Sequence, residues 1–140
     1  MPDRVFLDTN VLIYAFATDD ARQEVALGLL HKGGAIGVQS LNEFANVVTR
    51  KWKVAWPEAL DWLGMIQRLC EPVVPVTTEL HHRAVEIARE QGYHIYDALM
   101  LAAALQADRD VFYSEDLHDG HRLHGMVIRN PFAEIKKARR

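Results

Sequence analysis

The segment Ala98-Leu99-Met100-Leu101-Ala102-Ala103-Ala104-Leu105 constrains this chain most. It has no polar position, so a helix built from it is apolar almost all round and must be enclosed by other elements. It is far shorter than the roughly 20 apolar residues that span a bilayer, and no run in the chain reaches 18. The segment therefore predicts a central buried helix with a layer of structure packed around it.

The remaining chain supplies short apolar strands alternating with helical stretches. Val5-Phe6-Leu7 is an apolar run within a first strand over 4–8, buried on both faces. A helix is expected over roughly 10–17, and a second opening at Asp19-Asp20 and stopped by Gly33-Gly34. Residues 35–38 read as a second strand, and Ser40 as the start of a third helix reaching about Trp52. Pro57 suits the first turn of a fourth helix ending near Cys70, and Pro72 breaks it. A strand over 73–76 follows, then a helix capped by Thr77 or Thr78 and ending near Gly92. The central helix starts near Tyr96-Asp97, and strands follow at 110–114 and 126–128. Such alternation predicts a three-layer α/β/α fold with a mostly parallel sheet of about five strands. Its 140 residues suit one domain with a real core, over 1–133, followed by a basic tail over 134–140.

Charge and cysteine content narrow the function. A net charge of −3 and a pI near 6.1 argue against a broad electrostatic footprint for nucleic acid. They leave room for a nuclease that meets phosphates through metal ions. The lone Cys70, in an apolar pattern, reads as a buried inert thiol in a reducing compartment. The N-terminus lacks a basic segment followed by a long apolar stretch, so no signal peptide and a cytoplasmic location are expected.

Four acids stand at the ends of these elements. Asp8 follows the first strand, and Asp116 follows the fourth. Glu43 lies in the first turn of the helix starting at Ser40, and Asp97 at the start of the central helix. Singly, each has a structural explanation. Asp8 and Asp97 can cap helices, Asp116 can close a turn, and Ser40-Leu41-Asn42-Glu43 matches a capping box. Jointly, they fall at places that a right-handed parallel α/β unit brings to one sheet edge. Carboxylates gathered there raise one another's pKa unless cations stand between them, and a hard divalent ion suits oxygen ligands.

The sequence resembles PIN-domain ribonucleases, and within them VapC-type toxins of toxin–antitoxin pairs. The resemblance is carried by Phe6-Leu7-Asp8-Thr9-Asn10-Val11-Leu12-Ile13-Tyr14 and Ser40-Leu41-Asn42-Glu43-Phe44. It continues in Ile95-Tyr96-Asp97-Ala98-Leu99-Met100-Leu101-Ala102-Ala103-Ala104 and Tyr113-Ser114-Glu115-Asp116-Leu117-His118-Asp119-Gly120. It implies a Mg²⁺- or Mn²⁺-dependent endoribonuclease with Asp8, Glu43, Asp97 and Asp116 as the acidic metal site. Asn10 and Ser114 would be supporting residues. The reaction implied is in-line attack on an RNA phosphodiester by metal-activated water. Asp116 stands at the family spacing after Ser114, with Glu115 and Asp119 as neighbouring alternatives. A homodimer and a cognate antitoxin are implied as partners, the latter docking an amphipathic helix on an apolar surface that includes the third and fourth helices.

Other features carry less. His118, His121 and His124 recur every third residue, but Gly120 and Gly125 interrupt any helix and no cysteine joins them, so a surface loop is expected rather than zinc. Trp52, Trp56 and Trp62 suit helix packing or the antitoxin groove better than base stacking. Two alternative functions compete. A phosphatase or phosphotransfer site on Asp8 would want a lysine near the later strands, and none lies between Lys53 and Lys136. A non-catalytic interaction module would have no use for four intact acids.

Overall fold

A computed structural model describes residues 3–138. The elements run β1 (Val5–Leu7), α1 (Thr9–Ala15), α2 (Gln23–Lys32), β2 (Ile36–Gly37), α3 (Val38–Asn46), α4 (Trp56–Leu69) and β3 (Val73–Val74). They continue α5 (Thr78–Gln91), α6 (Ile95–Gln106), β4 (Val111–Tyr113), β5 (Arg122–Leu123), β6 (Met126–Arg129) and α7 (Ala133–Ala138). This is the expected α/β architecture, a mostly parallel sheet flanked by helices.

The main sheet has the order β1-β4-β6-β5, with β1, β4 and β6 parallel and β5 antiparallel at the edge. The parallel pair β2-β3 extends it on the other side, because Ala35, just before β2, exchanges backbone bonds with β1 (Leu7 N–H to Ala35 O, 3.0 Å; Ala35 N–H to Val5 O, 2.9 Å).

Side-chain alternation along the strands divides the interior in two. Phe6 points into a core with Phe112, Ile128, α5 and α6; Leu7, one residue on, joins a core built from α1 to α4. Phe6 and Phe112 are register partners and stack with centroids 5.2 Å apart. The central helix α6 buries Ala98, Met100, Leu101, Ala102, Ala103 and Ala104, as its composition demands. Thr77 rather than Thr78 caps α5, its hydroxyl accepting from the Leu80 N–H at 3.1 Å. Cys70 is fully buried, and burial pushes its thiol up to about 11.

Several expectations are corrected. The third helix starts at Val38, not Ser40. Ser40 lies in the first turn, where its Oγ accepts the Gly37 N–H at 3.1 Å, so the box with Glu43 does not form. Beyond Asn46 the same helix widens into a π-helical turn over Val47–Lys51. The second helix starts at Gln23 because Asp20 is used in a turn, accepting from the Arg22 N–H at 2.9 Å. The histidine segment is not simply a loop. His124 and Gly125 both take left-handed φ (49° and 85°) and turn the chain into a hairpin that pairs β5 with β6 and buries Leu123. Residues after Phe132 continue into α7, and Ile135 packs against the core. Of the basic residues expected of the tail, Lys136 and Lys137 fall within α7, and Arg139 and Arg140 lie outside the described residues.

Candidate active site

Strands β1 and β4 are adjacent and parallel, with Leu7 opposite Tyr113, so their C-terminal tips coincide. The Asp8 N–H bonds Tyr113 O at 3.0 Å, extending the ladder by one step and bringing Asp8 beside Ser114. Asp8 caps α1, accepting from the Thr9 N–H at 2.8 Å through Oδ1. Its Oδ2 accepts from the Ser114 hydroxyl at 2.8 Å. The capping role and membership of an acidic cluster therefore coexist in one carboxylate.

Asn10, in the first turn of α1, is the hub. Its Nδ2 faces Asp8 Oδ2 (3.5 Å), Ser114 Oγ (3.3 Å) and Asp116 Oδ2 (3.1 Å), and its Oδ1 accepts from the Glu115 N–H at 3.3 Å. The Asp116 N–H in turn donates to Ser114 Oγ at 3.2 Å. Glu43, in the second turn of α3, is tied in through Thr9, whose hydroxyl donates to Glu43 Oε1 at 2.9 Å. Gln39 donates to the other oxygen at 3.2 Å. Ser40 donates to Met100 Sδ at 3.4 Å, which fixes the start of α3 against the helix that carries Asp97.

Asp97 is in the first turn of α6, and no side chain caps that helix at His94. Its carboxyl is pushed up first by burial and then by the charges of Asp116 and Glu43, while His94 draws it down. Asp8 is pushed up to about 7, mainly by burial, with Asp97 and Glu43 adding to the rise. The bonds from Ser114 and the Thr9 N–H hold it back. The four acids of the sequence reading thus share one electrostatic neighbourhood, with Asn10 and Ser114 between Asp8 and Asp116.

The two alternative acids turn elsewhere. Glu115 accepts from the Tyr14 hydroxyl at 2.6 Å and pairs with Arg22 at 2.9 Å. Asp119 accepts from the Asn130 N–H at 2.9 Å. Thr9, Gln39 and Arg22 had no assigned role in the sequence; each acts through a partner that only the fold supplies. His118 and His121 stack with centroids 5.8 Å apart, and the Tyr93 hydroxyl bonds His121 Nδ1. Of the three tryptophans, Trp62 is packed on Phe16 and met edge-on by Trp52, whereas Trp56 is 59% exposed.

The donor set fits a hard divalent cation. It offers carboxylate oxygens, supported by amide and hydroxyl groups. Among the described residues no three carboxylates or imidazoles already form a metal cage.

No curated protein matches the chain. Solved structures share its fold. The sarcin–ricin loop-cleaving toxin VapC20 of Mycobacterium tuberculosis matches at 21% identity over 77% of this chain and 86% of its own, with a TM-score of 0.63. A toxin–antitoxin complex from Klebsiella pneumoniae matches at 19% identity over 91% and 97%, with a TM-score of 0.67. DNA-bound VapBC from Salmonella typhimurium matches at 20% identity over 93% and 99%, with a TM-score of 0.66. The PIN domain family model matches residues 5–118, a span that begins with β1 and contains all four acids, and the chain belongs to the PIN domain family.

Proposed function

We propose that this protein is a VapC-type toxin, a Mg²⁺- or Mn²⁺-dependent endoribonuclease. The observation that carries the reading is Asp8, a carboxylate buried at the tip of β1 and pushed up to about 7, sharing its surroundings with Glu43 and Asp97 and linked by Asn10 and Ser114 to Asp116. A buried acid among like charges is unfavourable for folding alone and becomes favourable with a cation. Asp8, Glu43, Asp97 and Asp116 would hold the ion, directly or through its waters. When bound, the ion supplies a water of lowered pKa and offsets charge on the phosphate oxygens. Asn10 and Ser114 fix the orientation of Asp8 and Asp116 by donating to their inner oxygens.

Membership of the PIN family supports the nuclease reading, and the fold shared with VapC20 and the two toxin–antitoxin assemblies supports the toxin reading. The partners are RNA, a cognate antitoxin and a second copy of the chain, in the cytoplasm. No described helix is long and apolar enough to cross a membrane. The exposed Trp56 and Leu60, one turn apart on α4, give an antitoxin helix an apolar foothold. A basic antitoxin residue would pair with the acids of the site.

Incubation with total RNA and Mn²⁺, followed by mapping of cut ends, tests the activity. Discrete cuts lost on chelation and in Asp8→Asn are expected. Release of phosphate from small phosphate esters without RNA cleavage would instead favour the phosphatase alternative. Light scattering tests the dimer, and co-expression with a neighbouring small open reading frame tests the antitoxin. A strict monomer at high micromolar concentration, or no complex and unchanged cleavage, would overturn those two parts.

A further inference from the structure

Glu115 stands between two residues of the site, Ser114 and Asp116, and its side chain is engaged by Arg22 and Tyr14. The side chain is only 8% exposed, and its oxygens receive Arg22 Nη1 at 3.0 and 2.9 Å and the Tyr14 hydroxyl at 2.6 Å. The guanidinium is itself fixed from other sides. Its Nε and Nη2 donate to Asp20 at 2.8 and 2.7 Å, and its carbon lies 3.9 Å over the Tyr14 ring. Three consecutive side chains are therefore engaged in turn: Ser114 with Asp8, Glu115 with Arg22, and Asp116 with Asn10. The Ser114 N–H still bonds Arg129 O at 3.0 Å, but Glu115 and Asp116 lie beyond that last ladder bond, and side-chain bonds supply their order.

We infer that Arg22, through Glu115, is a positioning residue that fixes the Asp116 segment and so sets how tightly the acids hold a divalent cation. The inference rests on the reading of those acids as a metal site. Among the described residues, the ion pairs of Arg22 are with Asp20 and Glu115 and with no acid of the cluster. Arg22 holds Glu115 and, with it, the backbone that presents Asp116 to Asn10. Its planar fork suits the task, since the Nε–Nη2 edge binds Asp20 and Nη1 binds Glu115.

Positioning and plain electrostatics predict opposite signs. Removing a positive charge near an acidic site should tighten cation binding if charge alone matters. Removing a positioning residue should weaken it, by about 10-fold as for other supporting partners of metal ligands. Mn²⁺ titrated onto the metal-free protein, with free Mn²⁺ followed by electron paramagnetic resonance, reads the affinity without any RNA. Arg22→Met is expected to weaken binding about 10-fold. Arg22→Lys keeps the charge but cannot span Asp20 and Glu115, and is expected to weaken binding in the same direction. Thr77→Ala, which removes the α5 cap and lies outside this network, is expected to leave the affinity unchanged. Unchanged or tighter binding in folded Arg22→Met overturns the inference. If Arg22→Met does not fold, unchanged binding in Arg22→Lys does so. A wild-type protein that takes up no Mn²⁺ removes the metal reading itself, a result distinct from wild-type uptake with unaffected variants.

Discussion

Replacing Asp8 by Asn should change stability with opposite sign at the two ends of the pH range. The folded-state pKa of Asp8 is raised from 3.8 to about 7, chiefly by burial. A carboxyl raised in this way favours the folded state while it is protonated. That stabilisation is complete below about 3.8 and is lost as pH rises through about 7. The rise corresponds to about 4 kcal/mol by pH 8. An amide at this position does not titrate and escapes that loss. Against this, Asn must give up one acceptor among those serving the Thr9 N–H and the Ser114 hydroxyl, a loss of about 1–3 kcal/mol. The metal-free variant should therefore be more stable than wild type at pH 8 by about 1–3 kcal/mol, or roughly 5 °C in Tm. At pH 4 it should be less stable, since only the lost hydrogen bond remains. Thermal melts of both proteins in chelator across pH 4–8 measure the difference. In the same variant RNA cleavage should vanish, and added Mn²⁺ should no longer raise Tm. A parallel pH dependence of Tm in the two proteins would refute the burial argument, and full cleavage by Asp8→Asn would refute the metal role.

Three further outcomes follow from named contacts. Ser40→Ala should cost about 1 kcal/mol, through the lost Gly37 contact, and spare cleavage, whereas Glu43→Gln should remove most cleavage with little loss of stability; equal activity in both would return Glu43 to a structural role. Ser114→Ala removes a bond that lowers the Asp8 pKa, so the acid limb of the cleavage pH profile should move to higher pH; an unmoved limb would reject that coupling. Phe112→Ala deletes a fully buried ring stacked on Phe6 and should cost about 3–5 kcal/mol in urea unfolding, with a loss below about 1 kcal/mol refuting its place in the core.

Much of the fold is local in origin and was therefore legible in the chain. The apolar runs at Val5-Phe6-Leu7 and Ala98–Leu105 leave few options, because burial on both faces or all round requires enclosure. Thr77, Gly33 and Pro57 mark helix ends through bonds and dihedrals spanning a few residues. Asp8, Asp97 and Asp116 were recognisable as site candidates for the same reason, since each terminates or opens an element that periodicity reveals. Only tertiary structure decided what those residues touch. Ser40 looked like a helix cap, but β2 ends at Gly37 and the helix begins one residue later, so Ser40 serves Gly37 and Met100 and leaves Glu43 to Thr9. Glu115 and Asp116 are neighbours of like charge, and nothing near them in sequence separates their roles. Arg22, 93 positions away, claims Glu115, while Asn10, 106 positions away, takes Asp116. Trp56 and Trp62 share one helix, yet Phe16, Phe44 and Trp52 pack on the latter while the former is exposed. Local bonding and hydrophobic period repeat every few residues and are written in the chain; hydrogen-bond and ion-pair partners are chosen among groups that meet only after the sheet has closed.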